Sequence, residues 1–312
     1  MKGALAFDTS NYTTSVAWFS PEKQLHSRKL LDVPKGALGL RQQEALFQHV
    51  KRLPELTRAL LAQGPGSIAA VGASTAPRET EGSYMPCFLA GASQAQVVAQ
   101  ILDVPCHAWS HQQGHLAAAA WSAGHMELLD QPFLAWHLSG GTTELLSVKP
   151  QGVAVTAQVI GGTSDISAGQ LIDRAGVLLG LDFPAGKALD ALSATAVGKQ
   201  KPFRVKTNGL SFSLSGMENQ VKAMAERREE KGEIARFVLD TLSDVLVRVT
   251  AAAQSAYPGE PVLCSGGVAS NSRLRFQLTE LCQAIFATPE YASDNAMGSA
   301  ILTYRAWEGS HG

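Results

Sequence analysis

The sequence predicts an α/β protein built on a duplicated unit, and three observations carry that prediction. Short apolar runs alternate with longer stretches of helical spacing along all 312 residues. Leu5-Ala6-Phe7-Asp8-Thr9-Ser10-Asn11-Tyr12-Thr13-Thr14-Ser15 and Leu134-Ala135-Trp136-His137-Leu138-Ser139-Gly140-Gly141-Thr142-Thr143-Glu144 align without a gap, 129 residues apart. Leu, Ala, Ser and both threonines coincide, and Phe7 faces Trp136. Each copy reads as an apolar strand, a small-residue turn and a second strand. Such a repeat constrains topology before other signals do. It implies two related lobes whose turns line a shared cleft, and the chain length agrees with about two domains.

In order, Leu5–Phe7 and Ser15–Phe19 are expected to form a hairpin. Residues 40–63 carry Leu40, Leu46, Val50, Leu53, Leu56 and Leu60 at helical spacing, with Pro54 expected to divide them into two helices. Ile68–Ser74 is a continuous small, apolar run, as in a buried strand. Residues 88–101 read as a helix, Val104–Trp109 as a strand and His111–His125 as a helix. In the second copy, residues 167–180 form a helix ending at Gly180, and 217–256 hold long helical patterns with a charged face. Val262-Leu263-Cys264 is a strand running into Ser265-Gly266-Gly267, followed by helices over 268–283 and near 295–307. Leu30–Leu40 and Lys199–Gly209 are the expected loops. The boundaries are 1–127 for the first lobe, 128–294 for the second, and 295–312 for a C-terminal helix crossing back to the first.

Composition narrows the function. Hydrophobic residues make up 45% and charged residues 17%, which excludes a disordered or collagenous chain. A net charge of −1 provides no global basic field, so any nucleic-acid contact rests on a local patch. The one candidate is Lys199-Gln200-Lys201-Pro202-Phe203-Arg204-Val205-Lys206, an aromatic among cations that also reads as a solvated loop. Cys87, Cys106, Cys264 and Cys282 form no CxxC pair and read as buried thiols of a reducing compartment. With no signal sequence or 18-residue apolar span, the chain reads as cytoplasmic, with no membrane partner.

Three constellations could carry chemistry. In His111-Gln112-Gln113-Gly114-His115 the i, i+4 spacing sets both imidazoles on one helical face, either sharing a metal ion or lying solvated at a helix start. Gln112 stands where a zinc protease needs its glutamate, which argues against proteolysis. Asp294, in Ser293-Asp294-Asn295, is a candidate third ligand, and two imidazoles with one carboxylate suit iron or zinc. Ser139-Gly140-Gly141-Thr142-Thr143 and Ser265-Gly266-Gly267-Val268-Ala269-Ser270-Asn271 each follow an apolar strand. They read either as ordinary tight turns or as backbone cradles for an anion, with Asn271 near a ribose or base. Asp173 and Asp190 flank Pro184-Ala185-Gly186-Lys187. They can accept hydrogen bonds from ribose hydroxyls, or pair on a surface with Arg174 or Arg204.

Read together, FDTSNYTTSVA, SHQQGHLAAA, LSGGTTEL, AGQLIDRAGVLLGLDFPAGKALD, LSFSLSG, CSGGVASNSRLR and ASDNAMGSA resemble the TsaD (YgjD, Gcp) family from about residue 4 to 303. That family is the tRNA N6-adenosine threonylcarbamoyltransferases, formerly called peptidase M22 or O-sialoglycoprotein endopeptidase. The resemblance implies the actin-like ATPase (ASKHA, Hsp70-like) fold, with two duplicated RNase H-like lobes around a nucleotide cleft. It places His111, His115 and Asp294 on the metal ligands, one iron or zinc ion per chain. It places His137, Leu138, Ser139, Gly140 and Gly141 on the substrate loop. Asp173, Gly186, Asp190 and Asn271 fall where ATP, ADP, AMP or threonylcarbamoyl-AMP is held. The implied reaction moves threonylcarbamoyl from its adenylate to N6 of adenosine 37 in ANN-decoding tRNA, alongside a TsaB-like paralogue and a TsaE-like ATPase. The chain departs from the pattern at Asn11, Tyr12 and Thr13, which replace a cysteine and acids. It also departs at Thr142 (for histidine), Gln170 (for glutamate) and Glu218 (for lysine). Two functions follow: a metal-dependent transferase, or a divergent nucleotide- and metal-binding paralogue acting through protein partners.

Overall fold

The computed structural model describes residues 1–10, 12–33, 40–80, 82–198 and 201–310. Asn11, part of the expected loop Leu30–Leu40, and Lys199 and Gln200 of the basic segment lie outside the described residues. In chain order the elements begin with β1 (Lys2–Asp8), β2 (Thr13–Phe19), β3 (Gln24–Leu30), α1 (Gln42–Leu61), β4 (Ser67–Ala76), α2 (Phe88–Leu102), β5 (Cys106–Ser110) and α3 (His111–Ser122). Then come β6 (Phe133–Leu138), β7 (Thr143–Gln151), β8 (Ala154–Thr163), α4 (Ala168–Leu178), α5 (Gly186–Ser193), β9 (Thr207–Asn208) and β10 (Ser211–Phe212). The chain closes with α6 (Ser215–Glu226), α7 (Lys231–Ala256), β11 (Val262–Ser265), α8 (Ser272–Cys282), β12 (Ile285–Phe286) and α9 (Met297–Gly309). Two units share these elements. The first is Met1–Gln131 with Lys149–Thr156 and Ser293–Gly312; the second is Pro132–Val148 with Ala157–Ala292.

The sequence repeat returns as topology. The first sheet has the order β3-β2-β1-β4-β5, and the second has β12-β11-β6-β7-β8-β10-β9. Read from β8, the second repeats the order of the first. β1 pairs antiparallel with β2 and parallel with β4; β6 pairs antiparallel with β7 and parallel with β11. Asp8 faces Ser15 across one hairpin, and Leu138 faces Thr143 across the other.

In the first unit α1 and α2 cover Leu5, Phe7, Val16, Trp18 and Val71, while α9 packs on β1, β2, β4 and α3. α3 and α9 approach at glycine: a Cβ on Gly298 would lie 1.7 Å from the carbonyl oxygen of Gly114. In the second unit α7 is the central helix, packed against α4, α5, α6 and α8. Trp136 is fully buried there, and its indole N–H donates to Thr250 Oγ1 at 2.9 Å.

Two expectations are corrected. Pro54 does not divide its stretch: α1 runs unbroken from Gln42 to Leu61 with Pro54 inside. A proline removes one helical hydrogen bond and clashes with the preceding turn, costing about 3 kcal/mol. Burial of Leu53, Leu56 and Leu60 on one face offsets that cost. Cys106 is exposed while the other three thiols are buried. It opens β5, the last strand of its sheet, where one side of the backbone has no neighbouring strand. Among the described residues no helix is long and apolar enough to cross a membrane.

Candidate metal and nucleotide sites

The first unit gathers a cluster from three parts of the chain. Ser110 ends β5 and caps α3: its hydroxyl accepts from the Gln113 N–H, and the Gln113 side chain accepts from the Ser110 N–H. That capping box starts the helix at His111, so His111 and His115 lie one turn apart on one face, with ring centroids 4.3 Å apart. Asp294 precedes α9 in a turn held by its neighbour. The buried Asn295 donates to the Ser293 carbonyl at 2.7 Å and accepts from the Met297 N–H at 3.0 Å. Asp294 Oδ1 lies 3.2 Å from His115 Nε2 and 3.5 Å from His111 Nε2. One ligand atom from each of the three residues falls within 4.8 Å of the others.

Asp8, which sequence reasoning did not assign to the site, completes the arrangement. It is buried at the end of β1, and its Oδ2 lies 2.9 Å from His111 Nδ1. Its Oδ1 accepts the Ser10 N–H at 2.8 Å and the Ser10 hydroxyl at 2.5 Å. Occupying Nδ1 leaves Nε2 as the ligating atom, the role a carboxylate plays behind a metal-bound histidine. The one sequence signal was its place at the end of an apolar strand, opening the repeated turn.

Burial is the largest influence on His111 and lowers its pKa, but the Asp8 and Asp294 carboxylates outweigh it and raise the imidazole to about 10. Burial likewise pushes Asp294 and Asp8 upward. Hydrogen bonds and charge from His111 and His115 reverse this for Asp294, and His111 with Ser10 reverses it for Asp8, so both end below the usual carboxylate range. We expect Asp8→Asn to weaken metal binding about 10–100-fold, the usual cost of losing an outer partner, as read by titration with Zn(II) or Fe(II). Unchanged affinity would show that Asp8 does not orient His111.

The second unit brings the other candidate residues into two neighbouring groups. The Ser139–Thr142 turn closes on itself: the Ser139 N–H donates to the Thr142 carbonyl at 2.8 Å, and the Thr142 N–H to Ser139 Oγ at 3.0 Å. The Ser167 hydroxyl donates to the Gly140 carbonyl at 2.6 Å and caps α4 in a capping box with Gln170. Gln170 is therefore committed to the helix start. His137, next to last in β6, is half-buried, but Leu138, which ends the strand, is a core residue whose side chain faces inward.

Asp173 Oδ1 accepts the Ala185 N–H at 2.8 Å, just before Gly186 begins α5. One turn later Asp190 accepts the Ser272 N–H and hydroxyl, both at 2.9 Å. Asn271 caps α8, its Oδ1 accepting from Arg273 and Leu274 at 3.1 Å each. α5 thus links all four nucleotide candidates, with part of each polar side chain already satisfied by the protein. Gly266 holds the second glycine turn at φ +97, where a Cβ would also meet the Leu138 carbonyl oxygen at 2.2 Å. Asp173 does not pair with Arg174, which pairs with Glu218 at 2.7 Å.

A five-strand order occurring twice, each time beginning with an antiparallel hairpin, defines an α/β protein of the ASKHA type. Solved structures share that fold. HypF in its phosphate- and nucleotide-bound form matches with a TM-score of 0.62 at 13% identity, over 99% of this chain and 47% of that one. The (R)-2-hydroxyglutaryl-CoA dehydratase component A of Acidaminococcus fermentans matches with a TM-score of 0.56 at 13% identity, over 99% of this chain and 100% of that one. The chain belongs to the TsaD family, the tRNA N6-adenosine threonylcarbamoyltransferases, which it matches over residues 26–301.

Proposed function

We propose that the chain is a metal-dependent transferase that moves threonylcarbamoyl from threonylcarbamoyl-AMP to N6 of adenosine 37 in tRNA. The observation that supports it most is the meeting of His111, His115 and Asp294, two residues of one helical turn and one from a distant turn, in a member of this family. Two imidazole nitrogens and one carboxylate oxygen suit iron or zinc and leave positions open to a ligand oxygen. Such an ion, when bound, supplies Lewis-acid stabilisation of negative charge on the donor.

The chain's own residues do the rest. Asp8 fixes the His111 tautomer. Backbone N–H groups of Gly140 and Gly141 hold donor oxygens, and Asp173, Gly186, Asp190 and Asn271 take the adenosine of the nucleotide. The reading includes tRNA as substrate and TsaB-like and TsaE-like proteins as partners.

The test is direct: incubate the protein with threonylcarbamoyl-AMP, unmodified ANN-decoding tRNA and the partner proteins, then digest the tRNA and weigh its nucleosides. Modified adenosine that disappears in His111→Ala supports transfer. Bound metal and nucleotide with no product under any partner combination would favour the second reading, a divergent paralogue. The observation behind that second reading is Glu218, which stands in the family's lysine position and is tied up by Arg174 and Lys222.

Asp173→Asn keeps an acceptor for the Ala185 N–H and loses the carboxylate. We expect it to weaken ADP binding roughly tenfold, the scale of one charge-assisted hydrogen bond. Isothermal calorimetry reads this, and unchanged affinity would take Asp173 out of the ribose site.

A further inference from the structure

The basic segment of the second unit serves neither candidate site. From Ala191 to Met217 the sequence carries four cations, Lys199, Lys201, Arg204 and Lys206, and no acid. In a chain of net charge −1 such a run makes a local positive field. The sequence alone allows a solvated loop or a nucleic-acid contact, and the packing favours the second.

The backbone of this segment is pinned. The Phe203 N–H donates to Thr241 Oγ1 on α7 at 2.9 Å, and the Val205 carbonyl accepts from Arg248 Nη2 at 2.9 Å. Val205 is buried, and Phe203 packs against the core, so it does not stand out to stack on a base. The Val205 N–H also donates to the Phe203 carbonyl at 2.9 Å, a three-residue turn with Arg204 at its tip. Lys201, Arg204 and Lys206 are thus exposed on a fixed backbone, and none forms an ion pair among the described residues. Acids on the surrounding elements are engaged elsewhere. Asp244 holds Arg248 at 2.9 Å, and Asp240 holds Arg273 at 3.1 Å. Glu233 accepts the Val197 and Gly198 N–H groups at 2.8 and 2.6 Å, and Asp165 those of Leu214 and Ser215 at 2.8 and 3.1 Å.

The segment leads to the end of the sheet that carries the Ser139–Thr142 turn. Lys206 runs straight into β9, where Asn208 pairs with Ser211, and Ser211 pairs in turn with Gly162. A Cβ on Gly162 would lie 2.3 Å from the Thr143 carbonyl oxygen, so Gly162 neighbours the residue that follows the turn. Three strand spacings of about 4.8 Å place Asn208 roughly 14 Å from Thr143.

We propose that Lys201, Arg204 and Lys206 hold backbone phosphates of the substrate tRNA, a few nucleotides from the adenosine presented at the turn. This surface rests on the transferase reading. Phosphate contacts orient a nucleic acid without reading its sequence, and orientation is what sets an acceptor amine against its donor. An acidic protein fits less well. Phe203 and Val205, the apolar side chains between these cations, face the core and offer no exposed anchor to an interface.

Fluorescence anisotropy of labelled, unmodified ANN-decoding tRNA with the full chain, over a series of salt concentrations, tests this without requiring turnover. The triple variant Lys201→Gln, Arg204→Gln, Lys206→Gln should bind about 100-fold more weakly near 0.1 M salt, with a salt slope shallower by about 2 to 3. The matched variant Lys29→Gln, Lys51→Gln, Arg58→Gln, in the first unit, should lose far less. All six positions are exposed, and circular dichroism verifies that both variants are folded. Equal losses in the two triple variants, or a slope unchanged by the first, would overturn the proposal while leaving the transferase reading intact. Binding of polyglutamate more tightly than tRNA at equal charge would also overturn it, in favour of an acidic protein. Loss of tRNA binding in the first variant alone, from a wild type that makes no modified adenosine, would support the surface and count against the transferase reading.

Discussion

His111→Ala and Asp294→Ala are each expected to strip the first unit of its metal ion, with affinity falling by more than the 10–100-fold typical of an outer partner such as Asp8. Each leaves two of three donors, and neither changes a large core side chain, so the fold should persist. Inductively coupled plasma mass spectrometry of purified protein reads the loss. Wild-type metal content in both variants would remove the cluster from the account.

The same site predicts a pH dependence. In the metal-free protein His111, raised to about 10, carries a proton at neutral pH that an incoming ion must displace. Metal affinity should therefore rise about tenfold per pH unit between roughly 7 and 10. Stability of the metal-free protein runs the other way. The His111 contribution is whole below its unfolded value near 6.5 and is lost as pH rises through 10. The depressed Asp8 and Asp294 contribute above about 3.8 and lose that contribution as pH falls. Titrating metal affinity against pH checks the first statement, and a flat profile would contradict it.

The second large effect is expected from Gly298→Val. A side chain there would press on the Gly114 carbonyl oxygen at 1.7 Å and the Ala118 N–H nitrogen at 2.9 Å, both backbone atoms that cannot swing away. α9 must then part from α3. Overpacking of this kind costs about 3 kcal/mol or more, and here it also pulls Asp294 from His115. Gly298→Val should lower the thermal midpoint and the bound metal together. Gly309→Ala, with nothing within 4 Å, should change neither. A Gly298→Val protein with normal metal content would show that the helix crossing does not place Asp294.

The sequence was legible where local signals were strong. The hairpin repeat showed because both copies keep an apolar strand beside a threonine-bearing turn, and the histidine pair showed because helical spacing is local. β3 was not visible: Gln24–Leu30 is polar, mostly half-exposed and lies at a sheet edge, so it carries no clean alternation. β9 and β10, two residues each, are set by pairing with each other and, through β10, with β8. Pro54 misled because a local rule ignores the core contacts that override it. Asp294 and Asp8 could be joined to the histidines only by long-range contact: Asp8 lies about a hundred residues before His111, and Asp294 nearly two hundred after it. Glu218 meets Lys222 one turn along α6, but its ion pair with Arg174 depends on how α4 and α6 pack, which no local pattern shows.

That Asp294 and α9 belong with the first unit has a consequence for biogenesis. The three candidate donors are encoded on both sides of the whole second unit, so a polypeptide emerging from the ribosome carries both histidines long before it has the carboxylate. On the proposed reading, loading with metal is thereby deferred until the whole second unit has been made, and a product terminated within that unit lacks the third donor.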